Sequence, residues 1–226
     1  MRSLANLEIP GGWSEREVVL GPHTFRLLLP AEPDALLERL EDPATTSEPH
    51  FADPYWAKLW PAAINLAAAV IRRPFPSGTR VLELGCGSGL VGLAALACGL
   101  DVTFSDYVPK AVELALENAA RNGYPGGQRL VFDWRNPPAK QWPVILAADV
   151  TYDRTHIDPL LNTLDQMLAP GGVAWFGDSG RGPAEEFIER ARVRGWSVKL
   201  YDQQDQPLQA AVLGKFQRLE LRRWAS

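Results

Sequence analysis

The segment Gly85-Cys86-Gly87-Ser88-Gly89 places three glycines in five positions, directly behind the apolar run Val81-Leu82-Glu83-Leu84. Glycine accepts positive φ and lacks the Cβ that keeps a ligand off the backbone. The residues that follow, Leu90 onward, read as a helix. Its first turn would offer free N–H groups and the positive end of a dipole. A plain strand-to-helix turn has no need of so many glycines, so a ligand site is expected here. Gly87-Ser88-Gly89-Leu90-Val91-Gly92 fits the dinucleotide pattern G-x-G-x-x-G, with Asp106 at a plausible distance. That pattern has low specificity by itself.

The flanks discriminate. Counted from Gly85 the glycines also read G-x-G-x-G, and Glu83 stands two residues ahead, inside an otherwise apolar strand end. A pyrophosphate has no use for that carboxylate. A ligand with an α-ammonium and a sulfonium, such as S-adenosylmethionine, does. Glu83 has a second reading as a cap on nearby N–H groups, and both can hold together. Three further acids close apolar runs: Asp106 in Ser105-Asp106-Tyr107, Asp133 in Phe132-Asp133-Trp134, and Asp149 after Ala147-Ala148. Asp106 can accept both ribose hydroxyls in a charge-assisted pair, or cap the helix that begins near Pro109. Tyr107 reads as a surface for adenine or as a half-exposed aromatic. Trp134 reads as a pocket wall or as a cover for the sheet edge.

These residues need strand ends to hold them. From residue 79 onward, apolar strands alternate with helices: strands over Thr79–Leu84, Asp101–Ser105, Arg129–Asp133, Val144–Ala148 and Val173–Phe176, and helices over Leu90–Cys98, Pro109–Arg121, Thr155–Leu168 and Pro183–Arg194. Alternation of this kind predicts crossover units and a mostly parallel sheet covered on both faces. Trp196–Tyr201 and Ala211–Leu221 have no helix between them and are expected to pair antiparallel at the sheet edge. In such a sheet ligands bind beyond the C-terminal strand ends, where the glycine loop and the acids fall. Residues 1–78 differ: a hairpin (Val18–Leu20, Thr24–Leu29), a short helix over Pro33–Leu40, a turn-rich stretch Pro43–Pro54, and a helix over Leu59–Ile71. We expect residues 1–78 to form an N-terminal extension packed on a catalytic domain of residues 79–226.

The chain has 226 residues, 46% of them hydrophobic, which suits a globular fold. A net charge of −4 speaks against attraction of nucleic acid by the bulk field. Two cysteines cannot make a disulfide framework, and no apolar run is long enough for a membrane span. A cytoplasmic protein is expected, with no membrane and no nucleic acid among its partners; the oligomeric state is not readable. His23, His50 and His156 are scattered, so no metal site is expected.

Val81 to Leu90 resembles the first motif of the class I, seven-strand S-adenosylmethionine-dependent methyltransferases. The resemblance implies a doubly wound, Rossmann-like α/β sheet of order 3-2-1-4-5-7-6 with strand 7 antiparallel. It implies contacts to S-adenosylmethionine, and to the product S-adenosylhomocysteine, along Glu83, Gly85, Cys86, Gly87 and Gly89. Asp106, Tyr107, Asp133, Trp134 and Ala148 join them from the next strand ends, with Asp133 accepting from the adenine amino group. Asp149 and Tyr152 form Asp-x-x-Tyr, which is similar to the post-strand-4 signature of the seven-strand protein lysine methyltransferases. Pro54-Tyr55-Trp56-Ala57-Lys58-Leu59-Trp60-Pro61 resembles the aromatic segment of the electron-transfer-flavoprotein β-subunit type. The chain departs from that type at Ala62-Ala63, where glycines are common, and at Ala147-Ala148.

Methyl transfer is a direct displacement on carbon, so the site must supply alignment, dryness and an acceptor lone pair. A lysine with an ordinary pKa of about 10.4 must first lose a proton. The resemblance makes Asp149 and Tyr152 catalytic, with Asp149 orienting the amine. It makes Trp56 and Tyr152 a wall for the lysine stem and places Trp60 at the cofactor. Against these stand core packing of the two tryptophans and a chance Asp-x-x-Tyr. The expected partner is a protein lysine; the alternatives are a small-molecule amine, or a cofactor-binding module without activity.

Overall fold

Eight strands build one sheet, and a separate hairpin forms a second, two-stranded one. This computed structural model describes residues 9, 11–38 and 54–223. The strands are β3 (Arg80–Leu84), β4 (Asp101–Asp106), β5 (Gln128–Val131), β6 (Trp142–Ala148), β7 (Leu168–Asp178), β8 (Trp196–Tyr201), β9 (Pro207–Leu208) and β10 (Gln217–Arg223). β3 to β7 run parallel, while β10 lies antiparallel between β7 and β8. The order across the sheet is β5-β4-β3-β6-β7-β10-β8-β9, which, numbered by position in the repeat, is the expected 3-2-1-4-5-7-6 extended by the two-residue β9.

Alternation along the strands explains why they are apolar throughout. Val81, Val144, Leu146, Val173 and Trp175 face one core. Leu82, Leu84, Ile145, Ala147, Ala174 and Phe176 face the other. Successive side chains point to opposite faces, so a sheet covered twice needs both parities apolar. The first face is covered by α2 (Pro61–Arg72), α3 (Leu90–Ala97) and α4 (Pro109–Arg121), together with the hairpin β1 (Trp13–Leu20) and β2 (His23–Pro30). The second is covered by α5 (Ile157–Met167) and α6 (Gly182–Val193). A short helix, α1 (Pro33–Glu38), and a 3-10 turn, Pro54–Ala57, precede α2.

Several boundaries differ from expectation for identifiable reasons. Pro170-Gly171-Gly172 does not separate helix from strand: the chain passes from α5 straight into β7, and the three residues sit at a register shift opposite Trp142 and Val144. The last strand begins at Gln217 because Val212–Lys215 turns, with Gly214 at φ 71 bonded to the Gly180 carbonyl. Arg154–His156 is a 3-10 turn capped by the Asp153 side chain, so the helix proper starts at Ile157. The turn-rich stretch 43–53, the tail of the short helix at 39–40, and His50 lie outside the described residues.

Candidate active site

A cavity of about 280 Å³ opens above the C-terminal ends of β3, β4 and β6. Its floor is Glu83 at the end of β3 and the loop that follows, Gly85, Cys86, Gly87 and Ser88. Asp106 and Tyr107 enter from β4, Asp133 and Trp134 from the segment after β5, and Ala148, Asp149 and Tyr152 from β6. Trp56 and Trp60 close it from the 3-10 turn and from the residue preceding α2. The structure thus gathers all the residues expected from sequence except Gly89. A Cβ on Gly89 would lie 2.6 Å from the Ala115 Cβ, so this glycine, at φ 78, lets α3 start against α4. Gly85 has φ 67, and a Cβ there would meet Val150 at 3.0 Å and Trp134 at 3.2 Å.

The loop amides are already engaged by the chain. Gly87 N–H donates to Asp106 Oδ2 at 3.1 Å, Cys86 N–H to the Ser105 carbonyl, and Gly89 N–H to the Cys86 carbonyl. Gly92 N–H, in the first turn of α3, donates to Glu83 Oε2 at 3.0 Å. A phosphate cradle needs such amides free. Four carboxylates, Glu83, Asp106, Asp133 and Asp149, line the same cavity. The donor set therefore suits a cationic ligand and opposes a pyrophosphate. Glu83 both caps α3 and faces the cavity, and burial pushes its pKa up to about 8 against the pull of the Gly92 and Val91 amides. Burial, with the charges of Asp106 and Glu83, raises the Cys86 thiol well above its ordinary range, so it is a neutral wall here. Asp133 is held below the usual carboxylate range by Arg135, whose guanidinium donates to Oδ1 from Nε and to Oδ2 from Nη2. Asp106 Oδ1 accepts from Val108 N–H in the turn ahead of α4; the residue at the N-cap is Val108 and no side chain caps that helix, so the expected capping role of Asp106 is not realised.

Asp149 is the residue whose setting sequence foresaw least. It adopts φ 53, and its side chain is 1% exposed. Its Oδ2 accepts Ala62 N–H at 3.0 Å and the Ser179 hydroxyl at 3.1 Å, and its Oδ1 accepts Arg181 Nε at 3.3 Å. The Arg181 guanidinium lies 5.2 Å from the Trp60 ring centre, with Lys58 Nζ at 5.4 Å. The carboxylate thus fastens the start of α2, and the tryptophan before it, to the strand ends. A row of rings lines this side: Trp60 and Tyr55 at 6.1 Å, Tyr55 and Tyr152 at 5.3 Å, Tyr152 and His156 at 5.6 Å, His156 and Trp134 at 5.6 Å.

Sequence reasoning missed Tyr55, Lys58, Ser88, Arg135 and His156 as lining residues. Tyr55 and Lys58 sat inside the aromatic segment already singled out. His156 was read only as one of three scattered histidines; the 3-10 turn after Asp153 carries it into the wall, with its Nδ1 buried and without a partner in the structure. Among the described residues no group of three or more His, Cys, Asp or Glu side chains is placed to hold a metal.

The fold is that of S-adenosylmethionine-dependent methyltransferases. A TehB-like enzyme of that class from Corynebacterium glutamicum superposes with a TM-score of 0.61 at 19% identity, covering 86% of this chain and 99% of its own. Residues 52–190 match the lysine methyltransferase family, and the chain belongs to it. Similar proteins include EEF1A lysine methyltransferase 3 of Mus musculus, 30% identical over 64% of this chain and 65% of its own length. The electron transfer flavoprotein β subunit lysine methyltransferase of Danio rerio is 32% identical over 60% and 54%. Ribosomal protein L11 methyltransferase of Xanthomonas campestris is 35% identical over 50% and 36%. The chain therefore spans less than two thirds of the length of these relatives.

Proposed function

We propose that this protein transfers the methyl group of S-adenosylmethionine to a lysine side chain of a protein by direct displacement. The observation that carries this reading is the meeting of two distant segments: Asp149 of Asp-x-x-Tyr bonds Ala62 behind Trp60-Pro61, and Tyr152 packs on Tyr55. The carboxylate-lined half of the cavity takes the cofactor and the aromatic half takes the acceptor. S-adenosylmethionine, when bound, supplies an electrophilic methyl carbon.

In this reading Glu83 and Asp106 hold the ammonium and ribose ends, over the glycine floor. Gly85, Cys86, Gly87, Ala148, Tyr107, Asp133 and Trp134 complete the cofactor half. Tyr55, Trp56 and Tyr152 wall the acceptor half, exclude water and favour the neutral amine, because burial disfavours the charged form; Trp60, expected at the cofactor, closes the cavity beside Tyr55 where the two halves meet. Asp149 acts by fixing this wall. Its oxygens already accept three donors from within the chain, so it is a positioning residue more than a direct amine acceptor. Of the expected N-terminal extension, the segment 55–63 completes the site.

The names of the relatives support a protein acceptor. Both cysteines are unpaired, which supports a cytoplasmic location. No helix among the described residues is long and apolar enough to cross a membrane. The net charge of −4 supports an acceptor other than nucleic acid.

Calorimetric titration tests the cofactor half. S-adenosylmethionine is expected to bind and NAD is not; no heat with S-adenosylmethionine at millimolar concentration would overturn the reading.

A further inference from the structure

The hairpin β1–β2 is a separate two-stranded sheet, yet the outer edge of β2 is not left open. Two asparagines of α4 pair with it as a neighbouring strand would. Leu28 N–H donates to Asn118 Oδ1 at 2.7 Å, and Asn118 Nδ2 donates to the Leu28 carbonyl at 3.2 Å. Arg26 N–H donates to Asn122 Oδ1 at 2.9 Å, and Asn122 Nδ2 donates to the Arg26 carbonyl at 2.8 Å. The spacing matches: four residues advance about 6 Å along a helix, and two residues advance about 6.6 Å along a strand.

The two asparagines differ in one respect. An amide nitrogen has two protons to give, and Asn118 Nδ2 also donates to the Ser88 carbonyl at 2.9 Å, in the floor of the cavity. Asn118 is fully buried. One helical turn earlier, Ala115 touches the same loop, 2.6 Å from where a Gly89 Cβ would stand. The two protons of Asn122 Nδ2 go instead to the Arg26 carbonyl and, at 2.7 Å, to the Asn118 carbonyl. A single buried amide therefore joins the N-terminal hairpin to the glycine loop.

We propose that Asn118 is a positioning residue that couples docking of the hairpin to the geometry of the cofactor loop, so that ligand binding and hairpin docking strengthen each other. Linkage makes the effect reciprocal. The proposal rests on the reading of the cavity as a cofactor site.

The test is calorimetry of S-adenosylhomocysteine with the full chain carrying Asn118→Leu or Asn122→Ala. Both variants loosen the hairpin, but only the first frees the loop. Asn118→Leu is expected to weaken binding about tenfold, the equivalent of one buried hydrogen bond, and Asn122→Ala less than twofold. Equal affinities in the two variants would overturn the proposal. Hydrogen exchange of the wild type keeps it testable if Asn118→Leu fails to fold. Saturating S-adenosylhomocysteine is expected to slow exchange of the Leu28 amide in β2, which lies outside the cavity wall; an unchanged Leu28 amide would overturn it. If the wild type binds no S-adenosylhomocysteine, the cofactor reading itself falls, which is a distinguishable failure.

Discussion

The Asp149 carboxylate accepts the backbone N–H of Ala62 at 3.0 Å, across 87 residues of sequence. This bond fixes the start of α2, and with it Trp60, to the end of β6. Its remaining partners, Ser179 and Arg181, bring in the loop after β7. Asp149→Ala strands a buried N–H and is expected to cost about 1–3 kcal/mol of stability. Binding of S-adenosylhomocysteine should hold within a few-fold, while methyl transfer falls by more than about a hundredfold, because misplacing a positioning wall by about 1 Å has that scale of effect. Thermal melts, calorimetry and single-turnover transfer measure the three. Transfer at the wild-type rate would remove Asp149 from the mechanism.

Glu83 should make cofactor binding depend on pH. Burial raises its pKa to about 8 in the protein alone, above the ordinary carboxylate value. A raised folded-state pKa gives a stability contribution that is complete below about 4.5 and is lost as pH rises through about 8. A cationic ligand favours the carboxylate, so binding at pH 7 should release a proton, and affinity should climb toward pH 8 and then level. Calorimetry in buffers of different ionisation enthalpy reads the proton directly. Glu83→Gln should abolish both the release and the slope; a wild type with no proton release contradicts the assignment.

Gly92 is a steric requirement of the same carboxylate. An added Cβ would stand 2.4 Å from Phe104 Cε1 and 2.6 Å from Glu83 Oε2. Both neighbours are buried, so Gly92→Ala should lose about 1–3 kcal/mol by overpacking. It should also weaken S-adenosylhomocysteine binding, since Glu83 must shift. A variant that melts and binds like the wild type would show that α3 can slide to accommodate the methyl group.

His156 packs edge-on against Trp134 and Tyr152 with a buried Nδ1 that lacks a partner in the structure. Such an atom costs stability. His156→Phe keeps the ring and removes the cost, so it should melt higher than the wild type while turning over more slowly, as expected where a site departs from the best packing for the sake of its ligand. A higher melt with undiminished turnover would make His156 a packing residue only.

Much of this was legible in the sequence because strand ends and glycine loops are local features. Val81–Leu84 followed by Gly85–Gly89 fixes a strand, a turn and a helix start without any distant information, and Asp106, Asp133 and Asp149 each close an apolar run. The partners of those acids were not legible. Glu83 with Gly92 is nine residues apart, but Asp149 with Ala62, and Asn118 with Leu28, depend on how helices of the first face pack on the sheet. Residues 169–172 were left between the expected helix Thr155–Leu168 and strand Val173–Phe176 because turn residues such as Pro170-Gly171-Gly172 mark loops; here a register shift absorbed them inside β7. His156 was hidden for a related reason: nothing in the spacing tells a 3-10 turn that faces the cavity from one that faces water.

Whether this protein methylates a lysine is decided by transfer of labelled methyl from S-adenosylmethionine in a cell lysate, with the labelled products mapped by peptide mass spectrometry. Label is expected on the Nζ of a lysine in one or a few proteins, and is expected to be lost with Asp149→Ala. Label confined to the small-molecule fraction, or on a protein residue other than lysine, would contradict that expectation.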